Sequence, residues 1–249
     1  MGNKILEVSH LNKSFGAVQA TNDFCLSVEK GDIHALIGPN GAGKTTAVNQ
    51  ITGDIFPDSG AVFFKQENVT SLKAHQRARK GIARSFQITH IFESLTVEEN
   101  LGLAICAHSG HNFRFWQKGL KSRVVEERLP HALERMGLAE RADVPARHLS
   151  HGEKRQLEVG MALTCDPELL ILDEPMAGMG PGGTVELTKL IRRLKGSVTI
   201  LLVEHDMDVV FALADRVTVL VYGENIATGS PARIRENDQV RRAYLGEEA

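Results

Sequence analysis

Four short runs of unbroken apolar residues divide the chain: "IHALIG" (33–38), "LLILD" (169–173), "VTILLVEH" (198–205) and "VTVLVYG" (217–223). A strand with one wet face alternates apolar and polar residues, whereas a strand covered on both faces does not. These runs therefore predict strands of a mostly parallel sheet covered by helices. Between them, 44–52, 153–164, 183–195 and 207–214 space their apolar residues as helices do. Strand and helix in alternation make an α/β domain. Residues 4–9, 23–29 and 60–66 are short, alternating and bounded by turns, which predicts a small antiparallel β layer. Residues 96–143 carry little strand signal and read as a helical insertion. The tail opens with Ser230 as N-cap and Pro231 at the first helical position, then spaces Ile234, Val240, Tyr244 and Leu245, which predicts one surface-packed helix.

Composition changes this picture little. At 249 residues the chain fits one large or two small folding units. A net charge of −2 gives no support to a nucleic-acid-binding surface. Cys25, Cys106 and Cys165 lie far apart with no CxxC, as small core residues in a reducing compartment do. No run approaches the roughly 18 apolar residues of a membrane span. The opening "MGNKILEVSHLNKSFG" lacks the apolar core of a signal peptide, and Leu6 spoils a myristoylation site at Gly2. A cytosolic chain is expected, unless a partner holds it at a membrane.

The chemistry starts at "GPNGAGKTT" (38–46), which follows one predicted strand and opens a helix. Gly38, Pro39, Asn40, Gly41, Ala42 and Gly43 would form a loop whose backbone amides turn inward on phosphate oxygens. The helix start adds partial positive charge. Lys44 would bridge the β- and γ-phosphates, Thr45 would ligate Mg²⁺, and Thr46 would reach the α-phosphate. The bland reading, a glycine-rich turn with a solvated lysine, leaves the complete pattern unexplained. A nucleoside triphosphate is the expected ligand, on a P-loop NTPase core.

"LLILDEP" ends an apolar strand on two acids, at the strand end where parallel sheets bind ligands. Asp173 would hold Mg²⁺, and Glu174 would sit near the γ-phosphate to polarise an attacking water. Taken alone, these acids would be a polar strand end before a turn at Pro175. "VTILLVEHD" ends similarly and puts His205 at the mouth of a neighbouring strand, where it would contact the γ-phosphate. Gln87 in "ARSFQ" is a neutral side chain able to bond water or Mg²⁺. In "LSHGE" (149–153), Ser150, His151 and Glu153 have the residue types of a hydrolytic triad. Ser150-x-x-Glu153 is instead a capping box ahead of a helix, and Gly152 would let an anion approach the helix start.

Together these residues resemble the ATP-binding subunit of an ABC transporter over nearly the whole chain. The order matches the family's: aromatic A-loop at Phe15, phosphate loop, Gln87, helical subdomain, signature "LSHGE", "LLILDEP", D-loop "MAGMG" and His205. The resemblance implies a RecA-like core with the β layer over 1–88 and 153–230, a helical subdomain over 89–152, and the tail 231–249. It implies that Phe15 stacks on adenine with Val18 beside it. It also implies that Gln87 couples the nucleotide site to a membrane subunit. Ser150 and Gly152 would receive the γ-phosphate held by an opposite protomer, identical or related, in a head-to-tail dimer. The implied partners are membrane permease subunits and, indirectly, a periplasmic or extracellular solute-binding protein. The implied location is the inner face of the cell membrane.

The stretches "GIARSFQITHIFESLTVEENL", "LSHGEKRQLEVGMAL", "DEPMAGM" and "AYLGE" are similar to the branched-chain amino-acid (Liv-type) importer ATPases. Urea and amide importers share much of this wording. Lipopolysaccharide-export ATPases share the short tail but typically carry LSGGE and a D-loop Asp. Two motifs depart from the wider family: the signature, usually LSGGQ, has His151 at its third place and Glu153 at its fifth, and Gly180 stands where the D-loop commonly has Asp or Asn. The stretch 107–128 crowds aromatic and basic residues around Trp116, which fits either docking on membrane subunits or lipid, or a local cluster anchoring a long loop. Two other functions compete with a transport ATPase. A DNA-repair or chromosome ATPase head would carry coiled-coil arms, which are not evident. A non-hydrolysing ATP sensor would have no need of Glu174.

Overall fold

The computed structural model of the protein describes residues 3–85, 91–108 and 122–245. Gln87 and Trp116 lie outside them. The chain divides into two compact units: residues 1–84, 168–174 and 194–249 make the first, and residues 85–167 and 175–193 the second.

The first unit holds the strands. Among the described residues they form two sheets. The antiparallel sheet contains β1 (Lys4–Phe15), β2 (Val18–Glu29), β4 (Ser59–Phe64) and β5 (Glu67–Asn68), in the order β2-β1-β4-β5. The second sheet contains β3 (Ile33–Ile37), β6 (Ile82–Ser85), β7 (Leu169–Asp173), β8 (Thr199–Val203), β9 (Arg216–Val221) and β10 (Glu224–Gly229), in the order β10-β9-β3-β8-β7-β6. Strands β3, β7 and β8 are buried at every position, as their unbroken apolar runs require, and they pair in parallel. One continuous core cluster joins Leu6, Phe24 and Phe64 of the antiparallel sheet to Leu36, Ile171 and Val203 of the other. Ala47, Val48 and Ile51 of α1 (Lys44–Thr52) belong to the same cluster.

The β1–β2 hairpin is nearly twice as long as the patterns at 4–9 and 23–29 predict. Its alternation breaks at His10 and Asp23, both left-handed at φ 52° and 50°, where the register slips between Val8 and Leu11. Such bulges switch which face a side chain occupies, so a period-2 reading stops there although the strand continues. The tail also differs from expectation. It forms two short helices, α8 (Pro231–Arg235) and α9 (Asp238–Leu245), rather than one. Asn237 breaks the run, its Oδ1 accepting from the amides of Gln239 at 2.9 Å and Val240 at 3.2 Å. Ile234 and Val240 still pack against Ala35, Val217 and Val219.

Two further helices in the first unit are α2 (Ala74–Arg79) and α7 (Met207–Leu213). Arg77 of α2 is fully buried and closes the end of α1, donating to the carbonyls of Gln50 at 2.6 Å and Ile51 at 2.7 Å. Burial pushes this guanidinium down to about 10. The cation sits on carbonyls that the helix leaves unpaired at its C-terminal end.

The second unit is helical among the described residues: α3 (Val97–His108), α4 (Arg123–Met136), α5 (His151–Leu163) and α6 (Pro181–Leu194). It reaches past residues 89–152 to include α5 and α6. Gly160 lets α5 pack closely, since a Cβ there would fall 2.7 Å from Met136 Cγ and 3.2 Å from Leu101 Cδ2. Buried Arg155 and Glu158 pair on α5 at 2.6 Å, and Arg155 Nε also donates to the Pro175 carbonyl at 3.0 Å. Among the described residues no helix is long and apolar enough to cross a membrane.

Candidate functional site

The parallel register sets the first part of the site. Leu36 of β3 and Asp173 of β7 both pair with Val203 of β8, so three strands end side by side. With strands roughly 5 Å apart, the segments after β3 and β7 leave the same edge about 10 Å from each other. The phosphate loop leaves β3, the pair Asp173–Glu174 closes β7, and His205 follows β8.

The loop's own glycines are required by packing. A Cβ on Gly38 would lie 2.2 Å from the Leu220 carbonyl oxygen. A Cβ on Gly43, which sits at φ 99°, would lie 2.0 Å from the Ala20 carbonyl oxygen. The loop is thus pressed between β2 and β9, and the turn after β9 holds it there: Gly223 N donates to the Ala42 carbonyl at 2.9 Å. On the opposite side of the loop, no described residue lies within 4 Å of a Cβ on Gly41. No side chain caps the start of α1, so its first amides face that side without a partner from the cap position. This is the local architecture of an anion site.

Lys44 Nζ folds back and donates to the carbonyls of Gly38 at 2.7 Å and Pro39 at 3.1 Å. Burial lowers its pKa, opposed by the charges of Glu174, Asp173 and Glu204. Thr45 is exposed and Thr46 half-buried. Glu174 holds a left-handed backbone at φ 46°, with its amide donating to Val203 O at 2.8 Å. A non-glycine residue in that region is costly and marks a position the surroundings enforce. A cavity of about 260 Å³ brings Glu174 together with residues 40–46 and with Val18, Gln19 and Ala20.

Phe15, Asp173 and His205 stand outside that cavity's lining. Phe15 is 49% exposed at the end of β1, with Lys13 Nζ 5.6 Å from its ring centre, and does not line the cavity. Val18, 66% exposed, does. His205 is also outside the lining and largely exposed, with Nδ1 3.8 Å from Oε2 of fully buried Glu204. Asp173 is buried and paired through Oδ2 with Arg84 Nη2 at 2.7 Å. Sequence reasoning passed over Arg84, since a single arginine at a strand end carries no pattern. It also passed over the carbonyls of Ala20 and Leu220 that wall the loop, because backbone contacts between distant segments leave no trace in residue type. Gln87 lies outside the described residues.

The second unit carries the other predicted positions. Ser150 caps α5 in a reciprocal box: its amide donates to Glu153 Oε2 at 2.8 Å, and Glu153 N donates to its hydroxyl at 3.3 Å. Burial disfavours the charged Glu153 carboxylate. The bonds from Ser150 and the Arg141 guanidinium at 3.0 Å outweigh that cost and hold its pKa below the usual range. Gly152 meets Gly183 of α6, a Cβ on the first lying 3.2 Å from the Cα of the second. The His151 ring lies over Gly178, 3.6 Å from where that residue's Cβ would be. The two segments with unusual residues, "LSHGE" and "MAGMG", therefore pack on each other. Among the described residues, nothing lies within 4 Å of a Cβ on Gly180.

Known proteins are similar to this chain in sequence and fold. A family model described as "ABC transporter" matches residues 21–177, and one described as "Branched-chain amino acid ATP-binding cassette transporter" matches residues 224–249. The chain is 40% identical over 254 residues to the high-affinity branched-chain amino acid transport ATP-binding protein BraF of Pseudomonas aeruginosa, covering 99% of this chain and 100% of that one. It is 32% identical over 245 residues to the lipopolysaccharide export system ATP-binding protein LptB of Haemophilus influenzae, covering 98% of each. A crystal structure of the ADP conformation of an ATP-binding cassette of an ABC transporter matches with TM-score 0.85 at 31% identity, over 98% of this chain and 99% of that one.

Proposed function

Because the chain belongs to the ABC transporter family, as a nucleotide-binding ATPase subunit that works with membrane permease subunits, we propose that it powers uptake of branched-chain amino acids. The observation that carries this reading is 40% identity to BraF along essentially the full length, joined by the family match over residues 224–249. The lipopolysaccharide-export relative covers as much of the chain but at 32% identity.

The geometry supports a division of labour. The open face of the loop, the uncapped start of α1 and Lys44 receive the phosphates, and Thr46 reaches the α-phosphate. Lys44 exchanges its bonds to the carbonyls of Gly38 and Pro39 for phosphate oxygens when ATP enters. The hydroxyl of Thr45, the carboxylate of Asp173 and the amide of Gln87 are hard oxygen donors that suit Mg²⁺. When bound, Mg²⁺ neutralises charge on the β- and γ-phosphate oxygens. Glu174, held in the cavity by its enforced backbone, orients a water for in-line attack and takes up its proton. His205 contacts the γ-phosphate, while Phe15 and Val18 meet the adenine.

Ser150 and Gly152 serve a second ATP-binding subunit, identical or related, which faces this one head-to-tail with ATP between them. The complex sits at the inner face of the membrane through the permease subunits, supplied by a periplasmic or extracellular solute-binding protein.

Glu174→Gln should lower ATP turnover by about 10²-fold or more while leaving ATP bound, and an ATP-dependent dimer should accumulate. Absence of turnover by the wild-type chain together with its permease subunits would sink the motor reading. The solute is tested by leucine uptake in cells lacking this chain. Unchanged uptake, with no other importer of the class present, overturns the solute assignment alone.

A further inference from the structure

Arg84 stands where β6 ends, and its guanidinium joins three segments of the first unit. Nη2 donates to Asp173 Oδ2 at 2.7 Å, at the end of β7. Nη1 donates to Asn49 Oδ1 at 2.6 Å, on α1, and lies 3.3 Å from Asp54 Oδ2 just beyond that helix. The side chain is only 12% exposed and that of Asp173 only 2%, so the pair is shielded from water. Shielding matters twice. It strengthens the charge-assisted bond, and it makes a turn of the Asp173 carboxylate away from Arg84 expensive.

A guanidinium held by several partners restrains the carboxylate it bonds. Among the described residues, Asp173 is bonded to Arg84 through Oδ2, which anchors that oxygen and leaves the second to meet another group. Through Asn49, the same guanidinium is tied to the helix whose start bears Lys44 and Thr45. Arg84 therefore sets two metal-side groups, Asp173 and the phosphate-loop helix, against each other.

We propose that Arg84 is a positioning residue for the metal half of the site, holding the Asp173 carboxylate so that its free oxygen faces a divalent cation accompanying bound ATP. This rests on the nucleotide reading above and extends it to a residue outside the motifs. Groups that orient a metal ligand commonly change metal affinity by about ten- to a hundredfold when removed.

The test separates metal from nucleotide. A non-hydrolysable ATP analogue is titrated into wild type, Arg84→Gln and Arg84→Lys, first in EDTA and then across a Mg²⁺ series, with binding read by calorimetry. Arg84→Gln should keep its metal-free affinity within about twofold, yet need about tenfold more Mg²⁺ for the same gain in affinity. Arg84→Lys, which keeps a charge but cannot hold Asp173 and Asn49 in one plane, should fall between. In an Asp173→Asn background the effect of Arg84→Gln on the Mg²⁺ requirement should vanish.

Equal loss of affinity with and without metal would show Arg84 to be a mere brace of α1 and would overturn the proposal, as would an unchanged Mg²⁺ requirement. If Arg84→Gln does not fold, Arg84→Lys carries the same comparison. Failure of wild type to bind the analogue would sink the nucleotide reading itself, a result distinct from either.

Discussion

The chain contains two helix starts expected to meet phosphate, and they are built in opposite ways. At α1 the cap position is Gly43, with φ 99° and no side chain to satisfy the first amides. At α5 the cap position is Ser150, locked with Glu153 in a reciprocal box and reinforced by Arg141. One helix start lacks a side-chain cap, whereas the other is capped by its own residues. The glycines follow the same division. Gly43 is pressed against the Ala20 carbonyl, while Gly152 packs on Gly183. A helix start serves as a primary phosphate site when nothing in the protein satisfies it. One already satisfied serves better as a shaped surface for an anion carried by something else.

The largest test of that contrast is Gly43→Ala. The new methyl would lie 2.0 Å from the Ala20 oxygen, in a backbone region that side chains avoid. Strain and overpacking together should cost about 3 kcal/mol or more, read as a large drop in thermal midpoint and loss of ATP binding. Gly41→Ala is the control. Its methyl meets none of the described residues at φ 80°, so only the backbone term of about 1 kcal/mol remains. Equal destabilisation by the two would show that the wall formed by Ala20 does not shape the loop.

Acid should separate the two regions next. His34 on β3, the strand feeding the phosphate loop, is fully buried, with Nε2 2.8 Å from Thr218 Oγ1. Burial, aided by Arg216, pushes its pKa from 6.5 down to about 4. The native state therefore keeps His34 neutral while the unfolded chain takes up a proton below pH 6.5. Stability from this group is full above that pH and is lost progressively toward pH 4, by about 3 kcal/mol in all. Glu153 has the same sign but a lower window. Its lowered carboxyl supports the fold above its unfolded value of 4.5, and that support is lost only as pH falls below it. Hydrogen exchange between pH 6.5 and 4.5 should loosen β3 before α5, and His34→Gln should flatten the response of β3. Simultaneous loosening in the variant and the wild type would remove His34 as the cause.

What the sequence made legible follows from the range of each interaction. The buried parallel strands, α1, the phosphate loop and the Ser150–Glu153 box are local patterns, and each lies where its pattern predicts. The β1–β2 hairpin was legible only to its bulges, because His10 and Asp23 invert the alternation on which the reading depends. The tail reads as one helix in sequence because Ile234 and Val240 keep helical spacing across the break at Asn237. Arg84 could not be found from sequence, since its partners Asn49 and Asp173 come from other segments. The contact of Gly152 with Gly183 was equally hidden, although both glycines were in view. Residue type recorded that space was needed, but not what would fill it.

Gly152→Ala tests that contact with a smaller effect. Its methyl would lie 3.2 Å from the Gly183 Cα, tight enough to push α5 and α6 apart by a few tenths of an ångström. The expected cost is about 1–2 kcal/mol, and ATP affinity of the isolated chain should be unchanged because the phosphate loop is untouched. A fall in that affinity would mean that Gly152 meets the chain's own nucleotide, against the division drawn above.

The mildest change is the most discriminating. Ser150→Ala removes a hydroxyl that accepts from Glu153 N at 3.3 Å, and with it half of the box. Loss of such a cap costs about 1 kcal/mol, so the fold should survive with a thermal midpoint lowered by a few degrees. If the signature segment were only a well-capped helix, that would be the whole consequence, and ATP turnover in the assembled complex would stay near the wild-type rate. If Ser150 also receives the γ-phosphate of a facing subunit, turnover and ATP-dependent dimerisation should fall by about tenfold or more, beyond what the stability change explains. Ser150→Asp separates the two roles further. Aspartate caps a helix as well as serine does, yet its charge repels phosphate. It should restore the thermal midpoint and leave the dimer lost. Recovery of both together would reduce Ser150 to a cap.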